Sequence, residues 1–338
     1  AFPRYVFLVW VLGDGFGGLE HRSSCSLMAS RRDLPRRSDP EISEDYSRFL
    51  SLCSHEYFHL WHVKRIKPAV FMPYDLTRET PTRQLWAFEG ITSYYDDLAL
   101  VRTQLVSPRS YIELLGQSLT RLQRTPGRFR QSVTDSSFDA WIKHYRPDEN
   151  SANATVSYYN KGAVVACALD LTIRLETRFA KSLDDVMRAL WRDFGKPGVG
   201  IPEDGLEAAI ARAAGVDLSA FFARALYGTE EISLEPLLAQ FGVALRRRCA
   251  LNQSDKGGQS SSNNRPRTDW GIRYQAGDNG GVRLSVVYAN GAAQKAGLSA
   301  QDEIIAVDGL RVSSSQWEAN LSYYPAGQGV EVYAFRRD

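Results

Sequence analysis

The short segment with the clearest chemistry is His55-Glu56-Tyr57-Phe58-His59, in which two imidazoles stand four positions apart and a carboxylate follows the first. On a helix, a spacing of four places both imidazoles on one face, where they can bind the same metal ion. Glu56 then lies beside the metal without binding it, which is the position of a general base. The segment predicts a zinc hydrolase, and the alternative interpretation is a pair of core histidines.

A catalytic zinc usually has three protein ligands, so a third is needed downstream. Our candidate is Glu89, because residues 84–105 form a second helical pattern that could pack beside the first. A buried carboxylate needs a partner or a metal, whereas a carboxylate on a helix surface needs neither. The apolar neighbours of Glu89 favour the first interpretation; they are Trp86, Phe88 and Ile91.

His62 is the histidine nearest to the motif, three positions after His59. Three ligands placed along one helix face do not easily converge on a tetrahedral metal. We therefore expect His62 to pack near the site without binding the metal. The predicted ligands of one zinc ion per chain are His55, His59 and Glu89.

Several segments together resemble the glycyl aminopeptidase family, zinc peptidases of the gluzincin group that are distant relatives of aminopeptidase N. The matching segments are residues 17–22, 55–66, 85–97, 145–150 and 157–162, and similarity runs from about Tyr5 to the end of the chain. The resemblance implies an α+β fold. A thermolysin-like (gluzincin) catalytic domain, with a sheet edge and a mainly helical body, would precede a small β-rich PDZ domain.

The resemblance also implies roles for three residues outside the metal set. Glu20 matches the glutamate that holds the free amino terminus of the substrate, and a fixed carboxylate suits an ammonium group. Tyr159 matches the tyrosine that donates a hydrogen bond to the oxyanion, and Tyr158 would bind substrate beside it. The alternatives are a strand-end turn with Glu20 in solvent, and tyrosines that only pack a helix start.

The chain departs from the family at His62, where relatives usually have asparagine, and this change could alter zinc affinity or ligand orientation. Asp96 and Asp97 follow Glu89 by about two helical turns. They could orient Glu89 or a histidine, but we expect exposed helix carboxylates at both positions.

Composition divides the chain into three regions. We expect a zinc peptidase domain over residues 1–248, a flexible linker or insertion over 249–268 and a PDZ domain over 269–338. Relatives carry a β-rich domain before this region, so we expect that an N-terminal part of the parent protein is missing. We also expect one more strand after residue 338, which would leave the PDZ domain truncated.

Residues 290–298 and 302–309 resemble a bacterial PDZ domain. Such domains bind an extended peptide at a sheet edge and receive its C-terminal carboxylate in a glycine-containing loop. The matching loop is Trp270, Gly271 and Ile272. The alternative is a first strand that only packs the domain against the peptidase.

Charge and hydropathy exclude some partners. The 338 residues carry a formal net charge of +2, which gives no case for nucleic acid or an anionic membrane as a partner. No apolar run reaches the roughly 18 residues of a membrane span. The sequence does not specify a compartment, and both the bacterial cytoplasm and the periplasm fit it.

The expected function is a zinc-dependent aminopeptidase that removes glycine or alanine from peptides with a free amino terminus. The preference for these two residues is implied by the resemblance alone. Two alternatives remain open: a zinc endopeptidase, and a PDZ peptide-binding adaptor with a weak or silent metal site.

Overall fold

The structure is a computed structural model that describes residues 3–38, 41–261, 268–278 and 280–336. It begins with a three-stranded sheet of β1 (Val6–Leu12), β2 (Phe16–Glu20) and β3 (Ser24–Ser30). The strand order is β1-β3-β2, with β1 parallel and β2 antiparallel to β3. One edge of the sheet is therefore β2, and this edge strand ends at Glu20.

A helical body follows the sheet. Its helices are α1 (Glu44–Phe58), α2 (Leu85–Phe88), α3 (Gly90–Arg102), α4 (Pro108–Gln123), α5 (Val133–Phe138), α6 (Ser151–Ala154), α7 (Tyr158–Glu176), α8 (Leu183–Leu190), α9 (Leu206–Ala214), α10 (Ser219–Phe222) and α11 (Leu234–Ala239). Short π-helical segments extend three of them or follow them closely: Ala140–His144, Trp191–Gly195 and Ala223–Tyr227. The predicted helical pattern over residues 84–105 is divided into α2 and α3 at Glu89.

Helix α1 begins where local chemistry favours a helix start. The Ser43 hydroxyl accepts a hydrogen bond from the amide of Tyr46 at 3.1 Å, and Glu44 and Asp45 lie in the first turn. The hydroxyl satisfies a free amide, and the carboxylates face the positive end of the helix dipole. The buried face of α1 packs on the sheet through Phe49 and Leu52.

Helix α7 runs through the core of the body and crosses the start of α3 with backbones in contact. A Cβ atom at Gly90 would lie 2.5 Å from the Cα of Gly162, and one at Gly162 would lie 2.7 Å from the carbonyl oxygen of Trp86. Both positions therefore require glycine. This crossing brings the first turn of α7, with its two tyrosines, beside Glu89.

A second sheet, of five strands, forms the C-terminal part of the described chain. Its strands are β4 (Ile272–Ala276), β5 (Val282–Val287), β6 (Glu303–Val307), β7 (Leu310–Arg311) and β8 (Val332–Phe335), with helices α12 (Ala292–Lys295) and α13 (Trp317–Leu321). The order is β4-β5-β6-β7, and β8 pairs with β6. The sheet has its own core, which includes Trp270, Leu284, Ile304 and Trp317. A mixed helix-and-sheet region followed by a domain with a sheet is the arrangement expected from the sequence.

The described part of the predicted linker lies along α4. A Cβ at Gly116 would lie 2.6 Å from the Cα of Gly258, and Lys256 Nζ lies 2.6 Å from Glu44 Oε1. Residues 262–267 of that linker, like residues 1–2 and 337–338, lie outside the described residues. Within the described ranges, no helix combines the length and the apolar character needed to cross a membrane.

Candidate active site

The last turn of α1 and the residue after it carry the two histidines of the motif. The rings of His55 and His59 lie 4.7 Å apart, nearly perpendicular to one another. His59 is the C-terminal cap of α1 and still has helical backbone angles, so the spacing of four keeps both imidazoles on one side. Glu56 lies between the two histidines in sequence, and its side chain is buried.

Glu89 reaches the same point from the junction of α2 and α3. Its Oε2 atom lies 3.3 Å from the Nε2 atom of His55 and 3.3 Å from that of His59. The predicted apolar enclosure is present, because Trp86, Phe88 and Ile91 have no exposed surface. The structure thus brings the three predicted metal ligands together.

The outer nitrogen of each imidazole has an acceptor. His55 Nδ1 lies 3.1 Å from Asp96 Oδ2, and His59 Nδ1 lies 2.7 Å from the carbonyl oxygen of His62. These contacts place a proton on each Nδ1 and turn each Nε2 toward Glu89. Two contacts of 3.3 Å fit a metal, because donors about 2.1 Å from a tetrahedral ion lie about 3.4 Å from each other.

The expectation of exposed carboxylates at Asp96 and Asp97 is wrong. Asp96 is largely buried and contacts His55, while Asp97 accepts a hydrogen bond from the hydroxyl of Ser51 at 2.7 Å. The cause is the packing of α3 against α1, which covers this side of α3. Asp96 orients the proposed ligand His55, and Asp97 ties the two helices together.

His62 lies next to the site but outside the cluster of donors. It is fully buried between Phe58 and Phe88, with ring centroids 5.8 and 4.6 Å away. Burial, followed by the nearby charge of His59, lowers its pKa to about 3, so the ring is neutral. Its Nε2 atom has no hydrogen-bond partner among the described residues.

The pKa values of Glu89 and His55 are strongly shifted in this cluster. Burial opposes the ionised form of Glu89, but the charge of His59 and hydrogen bonds from both imidazoles lower its pKa to about 2. Burial likewise opposes protonation of His55, but Asp96 and Glu89 raise its pKa to about 10. A dication bound here would displace the protons on the two Nε2 atoms and leave those on Nδ1 in place.

Glu56 has the properties of a proton acceptor. Burial raises its pKa to about 7, against the lowering effect of His55 and His59 and with a further rise from the charges of Glu20 and Glu89. Its Oε2 atom is buried and has no hydrogen-bond partner among the described residues. A carboxylate with a free oxygen and a pKa near neutrality is suited to general-base catalysis.

The edge strand β2 leaves room for this carboxylate. A Cβ atom at Gly18 would lie only 2.1 Å from Glu56 Oε1, whereas one at Gly17 would lie 3.4 Å from Met28 Cε. Gly18 therefore has to lack a side chain for Glu56 to occupy its position. The sequence showed a glycine-rich turn here, but it did not show which glycine the general base requires.

Glu20, at the end of β2, lies on the Glu56 side of the cluster. Its carboxylate, that of Glu56 and a nitrogen of His59 lie within 4.8 Å of one another. Glu20 does not point freely into solvent, because its Oε1 lies 2.9 Å from Lys64 Nζ and both side chains are about one-fifth exposed. Sequence reasoning did not assign a role to Lys64, and only the fold brings it to Glu20.

Tyr159 lies against His55, whereas Glu20 and Glu56 group with His59. The Ser157 hydroxyl accepts a hydrogen bond from the Asn160 amide and starts α7, so both tyrosines are in its first turn. The Tyr159 ring stacks on His55 with centroids 6.3 Å apart, and its hydroxyl lies 3.2 Å from that of Tyr145. Burial, followed by the charge of Glu89, raises the pKa of Tyr159 well above its usual value, so the phenol keeps its proton.

Tyr158 and His144 complete this side. Tyr158 is 1% exposed, and its ring lies 5.0 Å from the ring of His144 and 4.7 Å from that of Tyr159. Burial lowers the pKa of His144, although the charge of Glu89 opposes this effect. His144 and Tyr145 were not predicted as site residues. Tyr145 begins one of the segments that resemble the family, but nothing in the spacing of either residue relates it to the metal motif.

The predicted PDZ loop lies at the start of β4, which is an edge strand. The carbonyl oxygen of Trp270 accepts a hydrogen bond from Ala293 at 2.9 Å, and the amide of Gly271 donates one to Asp269 Oδ1 at 2.8 Å. Gly271 has a φ of +70°, which favours glycine. Ile272 is partly buried and starts the β4–β5 pairing.

Two segments of the chain match the family models of known proteins. Residues 48–165 match the family model of the M61 glycyl aminopeptidase, and residues 259–320 match that of the PDZ domain. The chain is also similar to a solved structure from Idiomarina loihiensis described as an aminopeptidase N family protein, with 43% identity and a TM-score of 0.94. That similarity covers 100% of this chain and 57% of the other, so this chain spans little more than half of that protein.

None of the proteins with curated descriptions matches the chain at a significant level. The family match includes the two motif histidines, Glu89 and both tyrosines, whereas Glu20 lies outside the matched residues. The histidines, Glu89 and the two tyrosines of this site thus lie in the segment that matches the M61 glycyl aminopeptidase model, and a segment that matches the PDZ domain follows it in the chain.

Proposed function

We propose that this chain is a zinc-dependent aminopeptidase of the gluzincin type, with a thermolysin-like catalytic domain. The observation that carries the proposal is the convergence of three donors, with Glu89 Oε2 3.3 Å from the Nε2 atoms of His55 and His59. The unpartnered oxygen of Glu56 beside them supports a reaction in which water attacks.

His55, His59 and Glu89 would hold one zinc ion. When bound, zinc supplies a Lewis acid that polarises the scissile carbonyl and lowers the pKa of a water molecule to about 7. Asp96 and the His62 carbonyl keep both imidazoles in the tautomer that a metal needs.

Glu56 would accept the proton of the attacking water at its free Oε2 atom and transfer it to the departing amine. Its raised pKa suits both steps, because the carboxylate is basic enough to take the proton and acidic enough to release it. Gly18 keeps the carboxylate in place by leaving it space.

Tyr159 would stabilise the oxyanion that forms on the scissile carbonyl. Its phenol keeps its proton and can donate without adding a charge near the ligands. Tyr145 lies 3.2 Å from the Tyr159 hydroxyl and orients it, and Tyr158 would contact the substrate beside it.

Glu20 would bind the substrate ammonium and so select peptides with a free amino terminus. Lys64 holds the carboxylate of Glu20 at 2.9 Å and balances its charge next to Glu56. The preference for N-terminal glycine or alanine rests on the family resemblance alone, and the matched family model is that of a glycyl aminopeptidase. At the PDZ domain, we propose that Trp270, Gly271 and Ile272 receive the C-terminus of a peptide.

The test combines metal analysis with paired peptides. The zinc-loaded chain should contain one zinc and cleave Gly-Ala-Ala, while the N-acetylated peptide stays intact because its ammonium is gone. Glu20→Ala should reduce cleavage of the free peptide by at least about 100-fold, since one charge-assisted contact is lost and the scissile bond is no longer aligned.

Each alternative function gives a different result. Cleavage of the acetylated peptide at rates similar to the free one would identify an endopeptidase. A chain that binds less than stoichiometric zinc and cleaves neither peptide, yet binds C-terminal peptides, would be an adaptor.

A further inference from the structure

A cleft of about 630 Å³ opens next to the proposed metal ligands. It lies between the loop of residues 70–82 and the end of α5 with the π-helical turn Ala140–His144 that follows it. Glu89, Tyr145 and Tyr158 form part of its wall, so the cleft is continuous with the proposed catalytic site. The rest of this wall has no role in the proposed reaction.

The remaining wall is mainly apolar and aromatic. It includes Phe71, Tyr74, Leu76, Phe138 and Trp141. Leu76 is 93% exposed and Trp141 56%. An exposed apolar patch of this kind is typical of a surface that binds a ligand. Such a surface gains free energy when an apolar group covers it.

The rim of the cleft is held in place rather than loose. Lys67 Nζ donates a hydrogen bond to the Tyr74 hydroxyl at 2.7 Å and lies 4.4 Å from the centre of its ring. The guanidinium of Arg83 lies 5.1 Å from the centre of the Phe138 ring. Asp75 and Arg78 pair with each other at 2.8 Å, so they offer little net charge to a ligand.

The position of the cleft decides which part of a substrate it meets. Glu20 and Glu56 lie on one side of the cluster, and neither residue lines the cleft. The cleft begins at Glu89, Tyr145 and Tyr158, and both of these tyrosines contact Tyr159, which stacks on His55. A peptide with its ammonium at Glu20 and its scissile carbonyl at the metal ligands must therefore continue toward the cleft.

We infer that this cleft binds the side chain that follows the scissile bond and selects a large apolar or aromatic residue at that position. The preferred substrates are then peptides with a small first residue and an apolar second residue, such as Gly-Phe or Gly-Leu sequences. This inference rests on the proposed function, because the direction of the peptide is set by Glu20 and the metal ligands.

The experiment compares Gly-Phe-Ala, Gly-Leu-Ala and Gly-Ser-Ala with the full zinc-loaded chain. We expect kcat/KM for the phenylalanine peptide to exceed that for the serine peptide by about 10- to 100-fold, because burial of a large apolar side chain is worth that much. Trp141→Ala and Phe138→Ala should each lower this ratio by roughly 10-fold. Two variants are needed because Trp141 also packs on Tyr145, with ring centroids 5.7 Å apart.

Ile142→Ala is the matched control. Ile142 is 61% exposed and adjoins Trp141, but it does not line the cleft, so its variant should keep the wild-type ratio. A second readout avoids turnover: the zinc-loaded Glu56→Gln variant should bind Gly-Phe-Ala more tightly than Gly-Ser-Ala in calorimetry, by about the same factor.

The outcomes separate this inference from the proposed function. If all three peptides are cleaved at rates within about twofold, or if both cleft variants keep the ratio, the inference is overturned and the aminopeptidase stands. If the wild-type chain cleaves no peptide, the proposed function fails, and the calorimetric ratio in Glu56→Gln still decides whether the cleft selects an apolar side chain.

Discussion

Gly18 gives the sharpest single test of the proposed mechanism. A Cβ atom at this position would lie 2.1 Å from Glu56 Oε1, 2.4 Å from its Cδ and 2.6 Å from its Cγ. Non-bonded carbon and oxygen atoms do not approach so closely, so the carboxylate and strand β2 must separate by roughly 1 Å or more. Gly18→Ala should therefore displace the general base and leave the three proposed ligands untouched.

The expected cost follows from that displacement. A misplacement of about 1 Å in a catalytic group typically costs on the order of 100-fold in rate. The assay is kcat/KM for Gly-Phe-Ala, with zinc content and thermal unfolding measured on the same samples. We expect about a 100-fold loss of kcat/KM with full zinc and a cooperative unfolding transition.

Gly17→Ala is the control, because the two glycines are adjacent on β2 and differ in what a Cβ would meet. At Gly17 the nearest atom is Met28 Cε at 3.4 Å, an ordinary contact. Neither glycine has a positive φ, so alanine introduces no backbone strain at either position. Gly17→Ala should keep kcat/KM within a few-fold of wild type. Normal activity in Gly18→Ala would refute the placement of Glu56 as the general base.

Further predictions concern the metal, the base and the pH profile. In metal analysis, Glu89→Gln should lower zinc occupancy strongly, while His62→Asn should keep it near normal. Full zinc occupancy in Glu89→Gln would show that Glu89 is not a ligand. Glu56→Gln should retain zinc and lose nearly all turnover in peptide assays, whereas substantial residual activity would point to another base. Asp96→Ala should weaken zinc binding by about 10- to 100-fold in chelator competition, with Asp97→Ala near wild type, because only Asp96 contacts a proposed ligand. The ionised form of Glu56 is the base, and its pKa is raised to about 7. The value of kcat/KM should therefore fall as the pH decreases below about 7, or below a lower pH if a bound dication stabilises the carboxylate. A fall in kcat/KM that already begins above pH 8 on acidification would contradict this role.

Much of the candidate site could be predicted from local sequence. The spacing of His55 and His59 places both rings on one helix face, and the apolar neighbours of Glu89 indicated that its carboxylate would be buried. Helical periodicity and apolar enclosure are properties of a short segment, so they can be read without knowledge of the fold. The roles proposed for Glu20 and Tyr159 required a family resemblance, since no periodicity links them to the motif.

The sequence by itself determined the types of group available: two imidazoles and a carboxylate in helical register, a glycine-rich strand, and a second region with PDZ features. Tertiary structure alone decided how they meet. The contact of Gly90 with Gly162 brings the tyrosines to Glu89, and the packing of α3 on α1 buries Asp96 against His55. These distances join residues far apart in the chain, and local propensity carries no information about them. The same reason explains why the cleft beside Glu89 could not be foreseen: it is the space between the loop of residues 70–82 and the end of α5, two segments that are far apart in the chain.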